Sequence, residues 1–177
     1  YKVHSKLLRI TRKMRGKIET FVQVGTGNYN EKTAAIYTDY CLMTADPVLG
    51  EEAGKVFEAL RNNEIPKPME YLLAAPLGLR PRVIAHIHEE IAFAKAGKPA
   101  YIGLKMNGLC DKTIIQKLIE ASQAGVKIEL LIRGICCLLP NVPELTENIE
   151  IRSIVGRYLE HSRVYLFGTE ERRAVYI

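Results

Sequence analysis

Two short segments carry the residues whose types and spacing could do chemistry: Val3-His4-Ser5-Lys6-Leu7-Leu8 and Glu160-His161-Ser162-Arg163-Val164-Tyr165. Each reads as a histidine, one intervening residue, a cation, and then apolar residues. On a β-strand the histidine and the cation two positions later point to the same face. That face would present an imidazole beside a fixed positive charge. Phosphoryl transfer needs this pairing, a nitrogen nucleophile together with a cation that neutralises the phosphoryl oxygens. One such triplet is a weak signal, because a lone histidine on a strand is more often structural. Two of them at the starts of comparable segments read as an internal duplication that shares one site.

Other residues are placed to assist. Gly25-Thr26-Gly27-Asn28 holds two glycines, which allow unusual backbone angles and close approach of backbone N–H groups to a ligand. Lys105 and Asn107 alternate onto one face of an expected strand. Arg133 falls at the C-terminal end of another, where open α/β sheets bind ligands. His86 and His88 diverge by ~200° on a helix, so they cannot form an i, i+4 metal pair, and they read as structural or exposed.

The elements that must position these residues follow from pattern. Residues 3–11 have strand character, residues 14–17 form a turn, and residues 18–24 return as a second strand. Residues 31–40 read as a short helix or irregular turn. Asp46-Pro47 is a strong helix start, with Val56, Phe57 and Leu60 expected on its buried face. Residues 62–68, with two prolines among polar residues, mark the boundary between two parts, residues 1–68 and 69–177. Then come an expected strand over 71–75, a helix over 80–96, a strand over 101–106, a helix capped by Asp111 and closed by Gly125, and a strand over 126–133. Residues 149–154, 158–167 and 173–177 add strand-like segments. This alternation argues for an α/β layer with a largely parallel sheet. The last residues stop inside an expected strand, so a truncated or proteolysed piece is expected.

Composition agrees with a globular chain. Its 177 residues suffice for one domain or two small ones, and the net charge of +5 is a mild bias toward anionic partners. The first seventeen residues concentrate that charge, holding Lys2, Lys6, Arg9, Arg12, Lys13, Arg15 and Lys17 without an acid. No apolar run is long enough to cross a bilayer. Cys41, Cys110, Cys136 and Cys137 lack metal-ligand spacing and are expected to be buried, reduced thiols.

The pairing of His4 and Lys6 with Gly25, Thr26 and Asn28 resembles the repeated motif of the phospholipase D superfamily, in which one histidine attacks phosphorus and the other protonates the leaving group. The acid that usually follows the lysine is absent from residues 8–14, and Arg163 replaces the lysine in the second copy. Longer blocks narrow the resemblance. Residues 3–6, 25–34, 37–40, 104–107, 131–134 and 157–163 are similar, in order, to the long-chain-synthesising polyphosphate kinases. The resemblance implies an α/β fold with a phospholipase D-like mixed sheet flanked by helices. The chain would hold the end of the first catalytic domain and most of the second.

It further implies reversible transfer of the ATP γ-phosphate to inorganic polyphosphate through a phosphohistidine. His4 would be the nucleophile and His161 the second catalytic histidine, with Tyr37, Arg133 and His161 on ATP. Lys6, Asn28, Lys105 and Arg163 are the expected phosphate-binding residues. Magnesium would accompany ATP/ADP, with its protein ligands outside this chain. A homo-oligomer and a bacterial cytoplasmic or membrane-associated location are implied for the full-length protein, with no nucleic-acid partner. The isolated piece is expected to be weakly active or inactive. A phospholipase D-like phosphodiesterase or nuclease, and a non-catalytic polyanion-binding piece, remain the alternatives.

Overall fold

A computed structural model describes residues 2–177. Strands β1 (Leu7–Met14) and β2 (Lys17–Gly25) form an antiparallel hairpin. Its two-residue turn, Arg15-Gly16, has φ values of 51° and 79°. Positive φ at both positions gives a turn whose twist matches that of the strands. A four-residue helix, α1 (Glu31–Ala34), is capped by the Asn30 side chain, which accepts from the Thr33 amide at 3.1 Å. Then come β3 (Tyr37–Thr38) and β4 (Cys41–Thr44), the latter pairing antiparallel with β2.

Helix α2 (Pro47–Arg61) starts where the sequence predicts, with Asp46 accepting from the amides of Val48 and Leu49. Its buried stripe differs from expectation. Gly50, Glu52, Ala53 and Val56 face inward, while Phe57 and Leu60 are 41 % and 36 % exposed. The small residues decide this, because they let the helix lie close on the hairpin. A Cβ at Gly50 would sit 3.2 Å from the Thr20 methyl.

The strand expected over residues 71–75 does not form. The buried Glu52 carboxylate instead accepts from the backbone amides of Glu70 and Leu72, each at 2.8 Å, and of Tyr71 at 3.1 Å. A side chain thus satisfies the donors that a ladder would have used.

Next in order are α3 (Leu79–Lys95), β5 (Tyr101–Met106), α4 (Lys112–Gln123), β6 (Lys127–Ile132), β7 (Ile149–Arg152), β8 (Leu159–Glu160), β9 (Val164–Phe167), a 3-10 turn (Glu170–Arg172) and β10 (Ala174–Tyr176). Five strands make a sheet in the order β10-β9-β5-β6-β7. The pairs β5–β6 and β6–β7 are parallel, and β9 and β10 run antiparallel, so the sheet is mixed rather than largely parallel. The core lies between this sheet and helices α3 and α4. Ile102, Leu104, Ile128 and Leu130 meet Val83, Ile87, Ile114 and Leu118 there. Each such buried side chain contributes roughly 1.5–3 kcal/mol of transfer free energy.

Two further expectations change. Neither histidine lies in a strand: residues 2–6 precede β1, and residues 161–163 lie between β8 and β9. The alternation argument therefore does not set the directions of these side chains. The cysteines are not buried either, for Cys41, Cys110 and Cys137 are exposed and Cys136 is half-buried. Among the described residues no helix is long and apolar enough to cross a membrane.

Candidate active site

A two-stranded parallel ladder, β3 with β8, joins the N-terminal and C-terminal parts of the chain, pairing Tyr37 with Leu159 and Thr38 with Glu160. The Leu159 amide donates to the Ile36 carbonyl, and the Ser162 amide to the Thr38 carbonyl, both at 2.9 Å. The chain therefore leaves β8 with His161 directly beside Asp39, which follows β3. The His161 imidazole is nearly buried, with its side chain 8 % exposed, and its Nδ1 lies 2.8 Å from Asp39 Oδ1. The Asp39 carboxylate accepts, so Nδ1 carries the hydrogen and Nε2 is the nitrogen left for chemistry. The Tyr37 ring packs against the imidazole at 4.7 Å between centroids.

Asp39 is itself held. The Thr26 hydroxyl donates to Asp39 Oδ1 at 2.6 Å, and the Tyr40 amide donates to Thr26 Oγ1 at 3.0 Å. Gly27 makes room for the carboxylate, since a Cβ there would come within 3.0 Å of the Asp39 side chain. The Gly25–Asn28 loop is thus a seat for Asp39. Asn28 is exposed at its end.

His4 is exposed, in the extended segment ahead of β1. Lys6 is buried at 9 % exposure and donates from Nζ to the His4 carbonyl at 2.7 Å. The Gly25 amide donates to the Lys6 carbonyl at 3.0 Å, which ties this segment to the Asp39 seat. The Lys6 charge holds the His4 imidazole below its ordinary pKa, helped by burial and by the charges of Lys2, Arg163 and His161. His4 therefore lies in the field of the second histidine and its flanking arginine. Burial, then the Arg163 charge, lowers the pKa of Lys6 in turn. Arg163 donates from Nη1 to the His161 carbonyl.

Lys105 reaches the same loop from β5. Its Nζ pairs with Glu160 Oε2 at 2.8 Å and donates to the Ser162 hydroxyl. The hydrogen bond from Lys105 to Glu160 is the largest cause that holds the Glu160 carboxyl below the usual carboxylate range. Arg133 follows β6, and its Nε is buried without a hydrogen-bond partner among the described residues. No hydrogen bond or ion pair among the described residues joins Arg133 or Asn28 to His161. Of the residues singled out in the sequence, the fold thus gathers His161, Tyr37, Arg163 and Lys105 around one loop, with His4 and Lys6 alongside. Thr26 of the Gly25–Asn28 motif belongs to the same cluster, as do Asp39 and Glu160, to which the sequence alone assigns no role. The acid was sought just after Lys6, whereas it comes from the Tyr37–Tyr40 block.

The family model for "Polyphosphate kinase C-terminal domain 1" matches residues 1–66, and that for "Polyphosphate kinase C-terminal domain 2" matches residues 72–177. Polyphosphate kinases of Erythrobacter litoralis and Bacillus cereus are 46 % and 44 % identical to this chain over 97 % and 99 % of its length. The chain spans 24 % and 25 % of those relatives. The crystal structure of polyphosphate kinase from Porphyromonas gingivalis superposes with a TM-score of 0.87 at 38 % identity, covering 99 % of this chain and 29 % of that one. With matched segments that take in nearly every residue and a shared three-dimensional arrangement, this chain belongs to the polyphosphate kinase family.

Proposed function

We propose that this chain supplies the catalytic histidines of an ATP:polyphosphate phosphotransferase. The observation that carries the reading is the His161–Asp39 hydrogen bond across the β3–β8 joint, which holds a nearly buried imidazole with Nε2 free in the neighbourhood of His4. His4, kept neutral by its cationic surroundings, attacks the γ-phosphorus. An N–P bond forms as the bond to the ADP oxygen breaks. His161 places a proton from Nε2 on that leaving oxygen, and Asp39 stabilises the imidazolium that precedes the transfer. Transfer from the phosphoramidate to the end of a polyphosphate chain regenerates His4, and the same steps run backward make ATP.

Lys6 and Arg163 offset the charge on the phosphoryl oxygens. The orphaned Nε of Arg133 is a donor that a nucleotide phosphate oxygen would satisfy, and Tyr37 contributes an aromatic face beside His161. Lys105 acts by fixing the 160–162 loop, since its ammonium is already committed to Glu160 and Ser162. Asn28 remains a candidate phosphate contact from the exposed loop. Magnesium enters as the counter-ion of ATP. Among the described residues no three metal-ligating side chains converge, so no step is assigned to a protein-held metal. The division at residues 1–68 and 69–177 into two partial phospholipase D-like domains fits a site built across both.

The test uses a full-length kinase carrying these residues, supplied with Mg-ATP and a polyphosphate primer. ATP-dependent lengthening of the primer is expected, with no hydrolysis of a phosphodiester such as bis(p-nitrophenyl) phosphate. Diester hydrolysis without lengthening would replace this reading with the phosphodiesterase one.

A further inference from the structure

We propose that Cys110 and Cys137 are a redox-active pair that closes to a disulfide between two loops at the C-terminal edge of the parallel strands, with a small disulfide of the glutathione type as oxidant. The two sulfurs already lie 3.7 Å apart, and both residues are exposed. They come from different loops, one after β5 and one after β6. Backbone bonds hold those loops in register. Cys137 N donates to Leu109 O at 2.9 Å, Leu109 N to Ile135 O at 2.8 Å, and Gly134 N to Asn107 O at 2.8 Å. Leu109 and Cys136 form a parallel bridge between them. Closure to a bond of ~2.05 Å therefore asks for side-chain rotation rather than loop movement.

The other cysteines are placed differently. Cys136 is half-buried with its thiol directed to the Leu138 carbonyl at 3.5 Å, and Cys41 lies on β4 in a different sheet. The step balances as ordinary exchange. One protein thiolate attacks the small disulfide, forming a mixed disulfide and releasing one small thiolate. The second protein thiolate then attacks the mixed disulfide at the protein sulfur, forming the Cys110–Cys137 bond and releasing the second small thiolate. The two protons lost by the protein end on the two released thiols. The Cys110 thiol, when it donates to Cys137, is held above its ordinary pKa by that hydrogen bond and then by burial, so exchange quickens as pH rises. The cross-link would brace the loop that begins at Arg133. The pairing itself does not depend on the proposed activity.

The reduced chain is exposed to oxidised glutathione under native conditions, quenched with an alkylating agent and digested with trypsin. Residues 106–112 are expected joined to residues 134–152, with closure roughly tenfold faster than in urea because the fold supplies the proximity. The link survives Cys136→Ser and is lost in Cys110→Ser and in Cys137→Ser. Exposure of both side chains makes these variants compatible with folding, and circular dichroism verifies it. Stable glutathione adducts on both residues without a link would overturn the proposal. So would a link that persists in Cys137→Ser, or closure no faster in the folded chain than in urea.

Discussion

Replacing Asp39 with Asn keeps the size and shape of the side chain and removes its charge. The Thr26 hydroxyl donates to Oδ1 at 2.6 Å, which directs the amide oxygen of the variant toward the same position. That oxygen can still accept from His161 Nδ1, so the imidazole keeps its tautomer and its place. What is lost is the charge assistance to the imidazolium that donates to the leaving group. Hydrogen bonds to charged groups contribute about 1.5–3 kcal/mol and neutral ones about 0.5–1.5 kcal/mol, so the imidazolium from which the proton is given loses ~1–2 kcal/mol of support. The partners are well covered, with side chains 8 % and 19 % exposed, so solvent screening trims this only modestly. At 1.36 kcal/mol per decade, single-turnover phosphorylation of a full-length kinase should slow by ~5- to 30-fold. The apparent affinity for ATP should change little, because Asp39 acts on the protonated form of His161 and is assigned no contact with the nucleotide. Rapid-quench measurement of phosphoenzyme formation reads both quantities. An undiminished rate in Asp39→Asn would refute the assignment of His161 as the proton donor supported by Asp39.

Three further outcomes are expected. Phosphorylation should rise with pH through a midpoint below 6.5, because the depressed His4 pKa leaves the free base as the main form at neutrality and the inert imidazolium dominates only below it. Lys6→Met removes the largest cause of that depression, so the acid limb of the pH–rate profile should move upward, and an unmoved limb would count against the effect. Glu52→Ala removes the buried carboxylate that accepts from the amides of residues 70–72, and thermal denaturation should record a loss of about 2 kcal/mol, in the range of hydrogen bonds to a charged group. Gly27→Ala should displace the Asp39 carboxylate, and it should slow phosphorylation by an amount comparable to Asp39→Asn while leaving the melting temperature nearly unchanged.

Where local rules act alone, the sequence was a good guide. The β1–β2 hairpin follows from a turn at Arg15-Gly16, α2 and α4 follow from the caps Asp46 and Asp111, and β5 begins and ends where its apolar run does. Where a distant side chain intervenes, it was not. Residues 71–75 look like a strand but give their amides to Glu52, 20 residues before Leu72. The buried face of α2 was misread because Gly50 and Ala53, not its larger apolar residues, allow close approach to the hairpin. The candidate site divides the same way. His161 and Tyr37 were visible as types, yet their contact depends on β3 pairing with β8, which no local pattern announces. Asp39 and His161 stand 122 residues apart, and no spacing rule covers that distance. The segment after Lys6 carries no acid, whereas the fold seats one, Asp39, on Thr26 and Gly27.

In the proposed reaction His4 carries the phosphoryl group, with His161 as its acid partner. Intact-mass spectrometry of a full-length kinase bearing these residues, after brief mixing with Mg-ATP, tests it most directly. One added phosphate is expected, labile to acid and stable to base, located on His4 by peptide mapping and absent from His4→Ala. Absence of any adduct in the unsubstituted enzyme, or a phosphate that persists in His4→Ala, would contradict the account.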